Sequence, residues 1–429
     1  MQSADVPLSP ANLAVVATDV DGRSQTGDLR IAVIKEGILD PAFGAGAGTC
    51  QVTVSRGNLG FANQAVVMLQ QPNGNLVVGG TSRDPFQGPA LLVRLQPDGC
   101  LDPGFGDGGI ANLPGDGGAA FAIALQADGK YVVGGDHHKR GTSGAFAVGT
   151  VWRVNADGTL DASFGTGGST TFPVPQDAAA VTAIQLDGDG RIRIAGTANF
   201  LRGEVFTARL DATGVLDTSY GAGGVVSHAI PGSQLWRPIA AADGGWWVAG
   251  SQRTAGVEHA ILARLDPAGD LVSDFGASGV ATMAPEPARY HNLIPVSDGF
   301  LAVGVTGSLE NATTLISRFH RDGSLDKSYG EQGHLSASPL LSEVVAVGDG
   351  KLVGWYREVG DFNPRVARLS ADGTIDPTFA DAGMFQMAWL GVDAHGSESN
   401  LLLAPLPDGT VVACYNDAPS ATWTLFHLN

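Results

Sequence analysis

One phrase, repeated along the chain, limits the possible folds more than any other feature. It reads Arg94-Leu-Gln-Pro-Asp98-Gly99-Cys-Leu101-Asp102-Pro-Gly-Phe105-Gly106. It returns as Arg153…Asp161…Phe164-Gly165, Arg209…Asp217…Tyr220-Gly221 and Arg264…Val272…Phe275-Gly276. Two more copies are Arg318…Asp326…Tyr329-Gly330 and Arg368…Asp376…Phe379. A worn copy stands at Leu39-Asp40…Phe43-Gly44, and the end of the chain, Leu425-Phe426-His427, matches its beginning.

A second phrase lies between these copies: Ala124-Leu125-Gln126-Ala127-Asp128-Gly129-Lys130-Tyr131-Val132-Val133-Gly134-Gly135. Its turn recurs at Asn73, Asp189, Asp243, Asp298, Asp349 and Asp408, each followed by Gly, at spacings of 55, 61, 54, 55, 51 and 59 residues. A decayed version fits near Ala11-Asn12. Length alone would suggest two or three domains. The repeats overrule that prior and predict a single domain over residues 1–429, built of about eight imperfect units.

Each unit reads as four short strands. Apolar runs on either side of Asp-Gly or Asn-Gly are a strong hairpin signal, with both turn residues expected at positive φ. No segment carries a 3.6-residue apolar period of helical length, so the chain reads as all-β. A four-stranded unit of 50–60 residues cannot bury its own two faces, and neighbours must cover them. The expected fold is a β-propeller of four-stranded antiparallel blades, a closure that leaves only short edges. Eight blades are expected, the last three-stranded because the chain stops early. The alternative is a seven-bladed ring with the first repeat as an extra N-terminal hairpin.

The two phrases, in this order, resemble the bacterial delta-60 repeat, a domain of unknown function expected to form propellers. The resemblance covers residues 4–428. It implies the propeller fold and an exported, extracellular or periplasmic setting, and it supplies no catalytic residue.

Composition narrows the partners. The formal charge is −18, from 43 acidic and 25 basic side chains, and only five of the latter are Lys. Such a surface repels phosphate backbones, so neither nucleic acid nor an anionic membrane is expected. No run of 18 apolar residues is present, which argues against membrane insertion. Residues 1–20 lack the pattern of a signal peptide. Cys50, Cys100 and Cys414 are too few for a disulfide scaffold. Cys50 and Cys100 lie toward one face of adjacent units, where a bridge or two free thiols are both open. The chain is expected to be a monomer.

The repeated Arg and Asp residues read as scaffold. Asp102, Asp161, Asp217, Asp326 and Asp376 each follow a turn, where a carboxylate closes an Asx-type turn. Arg94, Arg153, Arg209, Arg264, Arg318 and Arg368 are placed to reach them. Val272 replaces the Asp in one copy while Arg264 stays, a drift that a turn tolerates and a ligand set does not.

Candidate site residues are those that break the copying. The turn within the first hairpin and the phrase after the third strand are uniform, and both fall on one face of the ring. The loops between second and third strands and between repeats vary, and they carry the expected binding site at the channel mouth. Asp136-His137-His138-Lys139-Arg140 and Trp355-Tyr356-Arg357-Glu358 are read as two such loops, with Arg83, Arg202 and Arg253 in others. Trp236-Arg237 and Tyr290-His291 stand near the tops of innermost strands. The longest loop holds Asp393, His395, Glu398 and Asn400. Aromatics beside Arg and Asp suit a glycan, peptide or protein ligand.

Other chemistries find less support. Adjacent His137 and His138 point to opposite faces on a strand, and a metal site would need a third ligand such as His291 or His395; no metal or cofactor is expected. Asp187-Gly-Asp189-Gly190 and Asp19-Val-Asp21-Gly22 match only part of a calcium loop. No nucleophile elbow, P-loop or dinucleotide fingerprint occurs. The expectation is a non-catalytic binding module. The alternative is a lyase or hydrolase at the channel mouth, using His291, His395, Asp393, Arg237 and Tyr290.

Overall fold

The computed structural model describes residues 13–18, 24–29, 49–53, 64–81, 89–115, 117–141, 144–172, 179–198, 203–283, 287–307, 311–357, 364–380, 382–386, 400–407, 409–417 and 422–428. Among them the regular structure is all strand apart from one 3-10 turn, Gly348–Gly350. Among the described residues no helix is long and apolar enough to cross a membrane.

The chain opens with an antiparallel pair, β1 (Leu13–Thr18) and β2 (Ser24–Leu29), followed by β3 (Thr49–Thr53). The first sheet holds β4 (Gln64–Gln70), β5 (Leu76–Thr81), β6 (Ala90–Leu95) and β7 (Ile110–Asn112). The second holds β8 (Ala120–Leu125), β9 (Tyr131–Gly141), β10 (Gly144–Val154) and β11 (Ser169–Thr171). The third holds β12 (Ala179–Leu186), β13 (Ile192–Ala198), β14 (Glu204–Leu210) and β15 (Val225–Ala229).

The fourth sheet has five strands: β16 (Ser233–Leu235), β17 (Ile239–Ala240), β18 (Trp246–Thr254), β19 (Val257–Leu265) and β20 (Val280–Met283). β21 (Ala288–Val296), β22 (Gly299–Thr306), β23 (Thr313–His320) and β24 (His334–Ala337) form the fifth. β25 (Glu343–Ala346), β26 (Leu352–Tyr356), β27 (Arg365–Leu369) and β28 (Met384–Gln386) form the sixth. The closing sheet pairs β29 (Asn400–Pro405), β30 (Val411–Asp417) and β31 (Thr422–Leu428) with β3.

The fold is an all-β propeller with antiparallel, mostly four-stranded blades, but the expected counts do not hold. Instead of eight four-stranded blades, or seven, there are six four-stranded sheets and one five-stranded sheet among the described residues. Among the described residues the first repeat contributes the two-stranded β1–β2 pair and β3. Its last strand, β3, pairs antiparallel with β31 from Thr49↔Phe426 to Thr53↔Thr422. Without that strand the backbone groups on the outer side of β31 would face no partner, and an open edge is a liability. The extra strand of the fourth sheet has a local cause. β16 and β17 both pair with β18 and flank Trp236–Pro238. Pro238 has no N–H to give the ladder, so one innermost strand is split in two.

Apolar clusters fill the seams. Val77, Leu92, Phe105, Tyr131 and Trp152 join the first two sheets. Leu76, Val78 and Leu91 pack against Leu402, Val412 and Cys414, which closes the ring between first and last sheets. Cys414 is fully buried, and burial pushes its thiol pKa up. Cys100 is a free thiol, and the side chain of Cys50 lies outside those described.

The Asp128-Gly129 turn is not the tight hairpin expected, whereas Asp349 (φ +60°) and Gly350 (φ +73°) both take positive φ. Gly129 has φ +83°, whereas Asp128 is not at positive φ. The Asp128 carboxylate instead accepts the Lys130 N–H at 3.2 Å, within a loop closed by Gln126 N–H to the Lys130 carbonyl. The Asp fixes the turn by side-chain capping and the Gly alone takes the left-handed conformation.

Candidate functional site

The innermost strands β4, β8, β12, β17, β21, β25 and β29 touch in succession round the ring and enclose its centre. Several carry one residue too many. The pairing of β4 with β5 skips Val66, that of β8 with β9 skips Phe121, that of β12 with β13 skips Thr182, and that of β21 with β22 skips His291. The gap at Trp236–Pro238 contains the same excess, four steps opposite three. A bulge re-aims the side chain it inserts. Phe121, Thr182 and His291 are half-buried, whereas the residues beside them, Ala120, Ala122, Val181, Ala183 and Tyr290, are packed into the seams.

This device explains the recurring glycine at the end of the second strand. Gly135, Gly196 and Gly304 face the bulges, and a Cβ there would overlap the carbonyl oxygens of Ala119, Ala180 and Arg289 respectively. The glycine admits the bulge, and the bulge leaves one half-buried side chain per strand between buried neighbours.

Arg237 and Glu343 dominate the electrostatics of this collar. Each keeps some accessible surface yet lies deep in the molecule, as channel-lining groups do. Arg237 Nη2 donates to the Val66 carbonyl at 3.1 Å, tying the fourth sheet to the first. Glu343 opens β25, and the Leu403 backbone N–H beside it favours its ionised form. Burial pushes its carboxyl up to about 7 against the pull of Arg237. Burial also lowers Arg237, countered by Glu343. His291 is pushed down to about 4 by burial and by Arg289, which leaves a neutral imidazole at pH 7. The mouth therefore combines a fixed cation, a carboxyl that titrates near neutrality, a neutral imidazole and an aromatic ring, whereas the Thr182 hydroxyl is buried.

On the other face the repeated phrase forms a clamp. Arg94 Nε donates to Asp102 Oδ2 at 2.8 Å, and the same bond recurs for Arg153–Asp161 (2.7 Å), Arg209–Asp217 (2.8 Å) and Arg368–Asp376 (2.9 Å). Each guanidinium lies over the following aromatic, for example Arg153 at 4.7 Å from the Phe164 centroid. The other carboxylate oxygen closes the turn, as Asp161 Oδ1 does with Ser163 N (3.1 Å) and Oγ (2.6 Å). Where Val272 stands, Arg264 turns to Asp243 and to the Trp246 carbonyl. Arg318 lies 3.5 Å from Asp326 and closer, 2.7 Å, to Asp298.

Three of these stretches match the model of a domain of unknown function (DUF5122) β-propeller, over residues 71–105, 126–164 and 348–379. These three stretches are similar to DUF5122 repeats. Each match runs from the first hairpin turn to the aromatic beneath the Arg. No curated protein matches the chain. Among solved structures it is similar to the polysaccharide lyase Uly1, with TM-score 0.48, 11% identity, and 85% of this chain and 90% of that chain covered. It is also similar to a puromycin-hydrolyzing peptidase of Mycobacterium tuberculosis (0.48, 13%, 92% and 55%). A third is Sqt1 of Chaetomium thermophilum bound to the N-terminus of the ribosomal protein L10 (0.45, 14%, 86% and 97%). Likeness at this level assigns no substrate or reaction to the chain.

Outside the DUF5122 phrases, the site residues expected from sequence scatter. Trp236, Arg237 and His291 reach the channel collar. Tyr290 does not: it is fully buried in the seam, and its hydroxyl donates to Ser317 Oγ at 2.6 Å. Ser317 Oγ lies 2.8 Å from His334 Nδ1, a Ser–His contact whose Ser has no exposed surface to meet a substrate. His137 and His138 sit on β9 rather than in a loop, because β9 and β10 pair as far as Gly141 and Gly144. His137 Nδ1 is 2.7 Å from Thr150 Oγ1, and His138 Nε2 is 3.7 Å from Asp136. Trp355 is likewise on a strand, β26, and buried, with Arg357 over its ring at 5.4 Å. Arg253 is exposed at the end of β18. Arg83, Arg202, Asp393 and His395 lie outside the described residues. Among the described residues no three His, Cys, Asp or Glu side chains gather as a metal site requires. Asp187, half of the partial calcium motif, is held by Arg193 Nε at 2.8 Å.

Sequence reasoning missed Glu343, Phe121 and Thr182. The signal for Glu343 was present: a lone carboxylate in the apolar stretch Leu341-Ser-Glu343-Val-Val, at the start of an innermost strand.

Proposed function

We propose that the chain is a non-catalytic binding module that takes a glycan or peptide segment at the collar-lined mouth of its central channel. The collar carries this reading. Phe121 and Trp236 offer apolar faces, while Arg237, Glu343 and neutral His291 offer directed hydrogen bonds, the mixture that sugars and peptide backbones need. These side chains depart from the repeat at positions where the scaffold residues are buried. An extracellular or periplasmic monomer, as the repeat resemblance implies, would present this mouth to such ligands.

Glycan and peptide arrays probed with the full chain test the proposal. Binding is expected, and Phe121→Ala with Trp236→Ala should abolish it without unfolding the ring. A well-folded protein that binds nothing, or a double variant that binds as before, would refute it.

Glu343 favours one second reading. A carboxyl near pH 7 beside an arginine is suited to proton transfer, as a lyase or hydrolase at the same mouth would require. Glu343→Gln separates the two: a binding module keeps its ligand, whereas an enzyme keeps binding and loses turnover.

A further inference from the structure

A cavity of about 450 Å³ opens on the face opposite the collar, in the seam between the fifth and sixth sheets. Its apolar walls include Leu301, Leu352 and the Tyr329 ring, and Asp298, Asp349 and Arg318 supply its charges. Its size falls within the range of small-ligand pockets, roughly 300–1,000 Å³.

The cavity has a structural cause. In three other seams, between the first and second, second and third, and third and fourth sheets, a guanidinium crosses from one sheet to the next. Arg94 Nη1 donates to the Ala156 carbonyl, Arg153 Nη1 to the Ala212 carbonyl at 2.6 Å, and Arg193 Nη1 to the Gly244 carbonyl. Ala371, before Asp372-Gly373, occupies the place of Ala156 and Ala212, and it lines the cavity. No described side chain donates to its carbonyl.

Both local sources of a crossing guanidinium are lost. Arg318 is drawn to Asp298 in its own sheet. Leu301 takes the position of Arg193, since each pairs with the phrase arginine of the next strand. The hairpin is also one residue shorter: Gly304 follows its turn glycine by five residues, where Gly135 and Gly196 follow theirs by six.

We propose that this open seam binds a guanidinium group, presented as an exposed arginine side chain of a peptide or protein partner. The ring itself closes three other seams with a guanidinium. Here the Ala371 carbonyl and the Asp349 carboxylate remain while the internal donor is gone, and Arg318 lies over the Tyr329 ring. Arg318 is neutralised by Asp298 and Asp326, which leaves Asp349 to receive the ligand's charge. The site is separate from the channel mouth and stands whatever that mouth binds.

Titrating the full chain with N-acetyl-L-arginine amide, followed by calorimetry or NMR, tests the site. Its neutral citrulline analogue is the control. Saturable binding of the arginine compound is expected, weaker by about tenfold or more for the citrulline analogue because charge-assisted hydrogen bonds are lost. Leu301→Arg should supply the missing internal guanidinium and abolish binding, and Asp349→Asn, at an exposed turn, should weaken it by about tenfold. Circular dichroism confirms folding, and should Leu301→Arg not fold, Asp349→Asn decides. No saturable binding, equal binding of the citrulline analogue, or unchanged affinity in the folded variants would overturn the proposal.

Discussion

Asp161 uses its two oxygens for two tasks. One caps its own turn through Ser163, and the other holds Arg153 and Lys130. Lys130 and Ser163 are the main reasons why its carboxyl stays well below the usual carboxylate range, although it lies near the surface. A depressed value means that the ionised form stabilises the fold above pH 3.8 and that this stability is lost as pH falls below it. Asp161→Ala should therefore cost about 2 kcal/mol at pH 7 by denaturant titration, a deficit that shrinks toward pH 2. Equal stability of variant and parent at pH 7 would contradict the structural role. Glu343 has the opposite sign. Its raised value makes the neutral form the favoured one, so its contribution is full below pH 4.5 and is lost as pH climbs through 7. Melting curves of Glu343→Gln should show a flatter pH dependence over that window. A variant that tracks the parent throughout would place Glu343 in ordinary solvent.

Among elements, the bulged innermost strand links scaffold to site. Gly135→Ala sets a methyl against the Ala119 carbonyl and the Trp152 ring, and should cost about 1–3 kcal/mol. Gly188→Ala, which meets nothing within 4 Å, should be neutral. Comparable melting of the two variants would remove the reason given for the glycine. The repeat was legible because turns and clamps demand particular residues: Asp for a cap, Gly for positive φ, Arg over an aromatic. The bulges were not, since an inserted residue can be Val66, Phe121, Thr182 or His291 and leaves no common identity. The strand status of His137 and His138 was hidden for a related reason. Pairing beyond the repeated core depends on the partner strand, and polar side chains at a long hairpin's end look like a loop.

In the whole molecule, closure is the feature that sequence conceals best. β3 and β31 lie at opposite ends of the chain, and nothing local in either announces the other, so the first repeat looked like a blade in its own right. The seam clusters suggest why closure is worth having: the first sheet's Leu76, Val78 and Leu91 are covered only when the last sheet arrives. The deciding measurement is the melting temperature and solution mass of a chain lacking residues 1–54, compared with the full chain. Loss of β3 should lower melting by several degrees and promote association through the bared edge of β31. A truncated chain that melts with the parent and stays monomeric would show that the ring is closed in some other way.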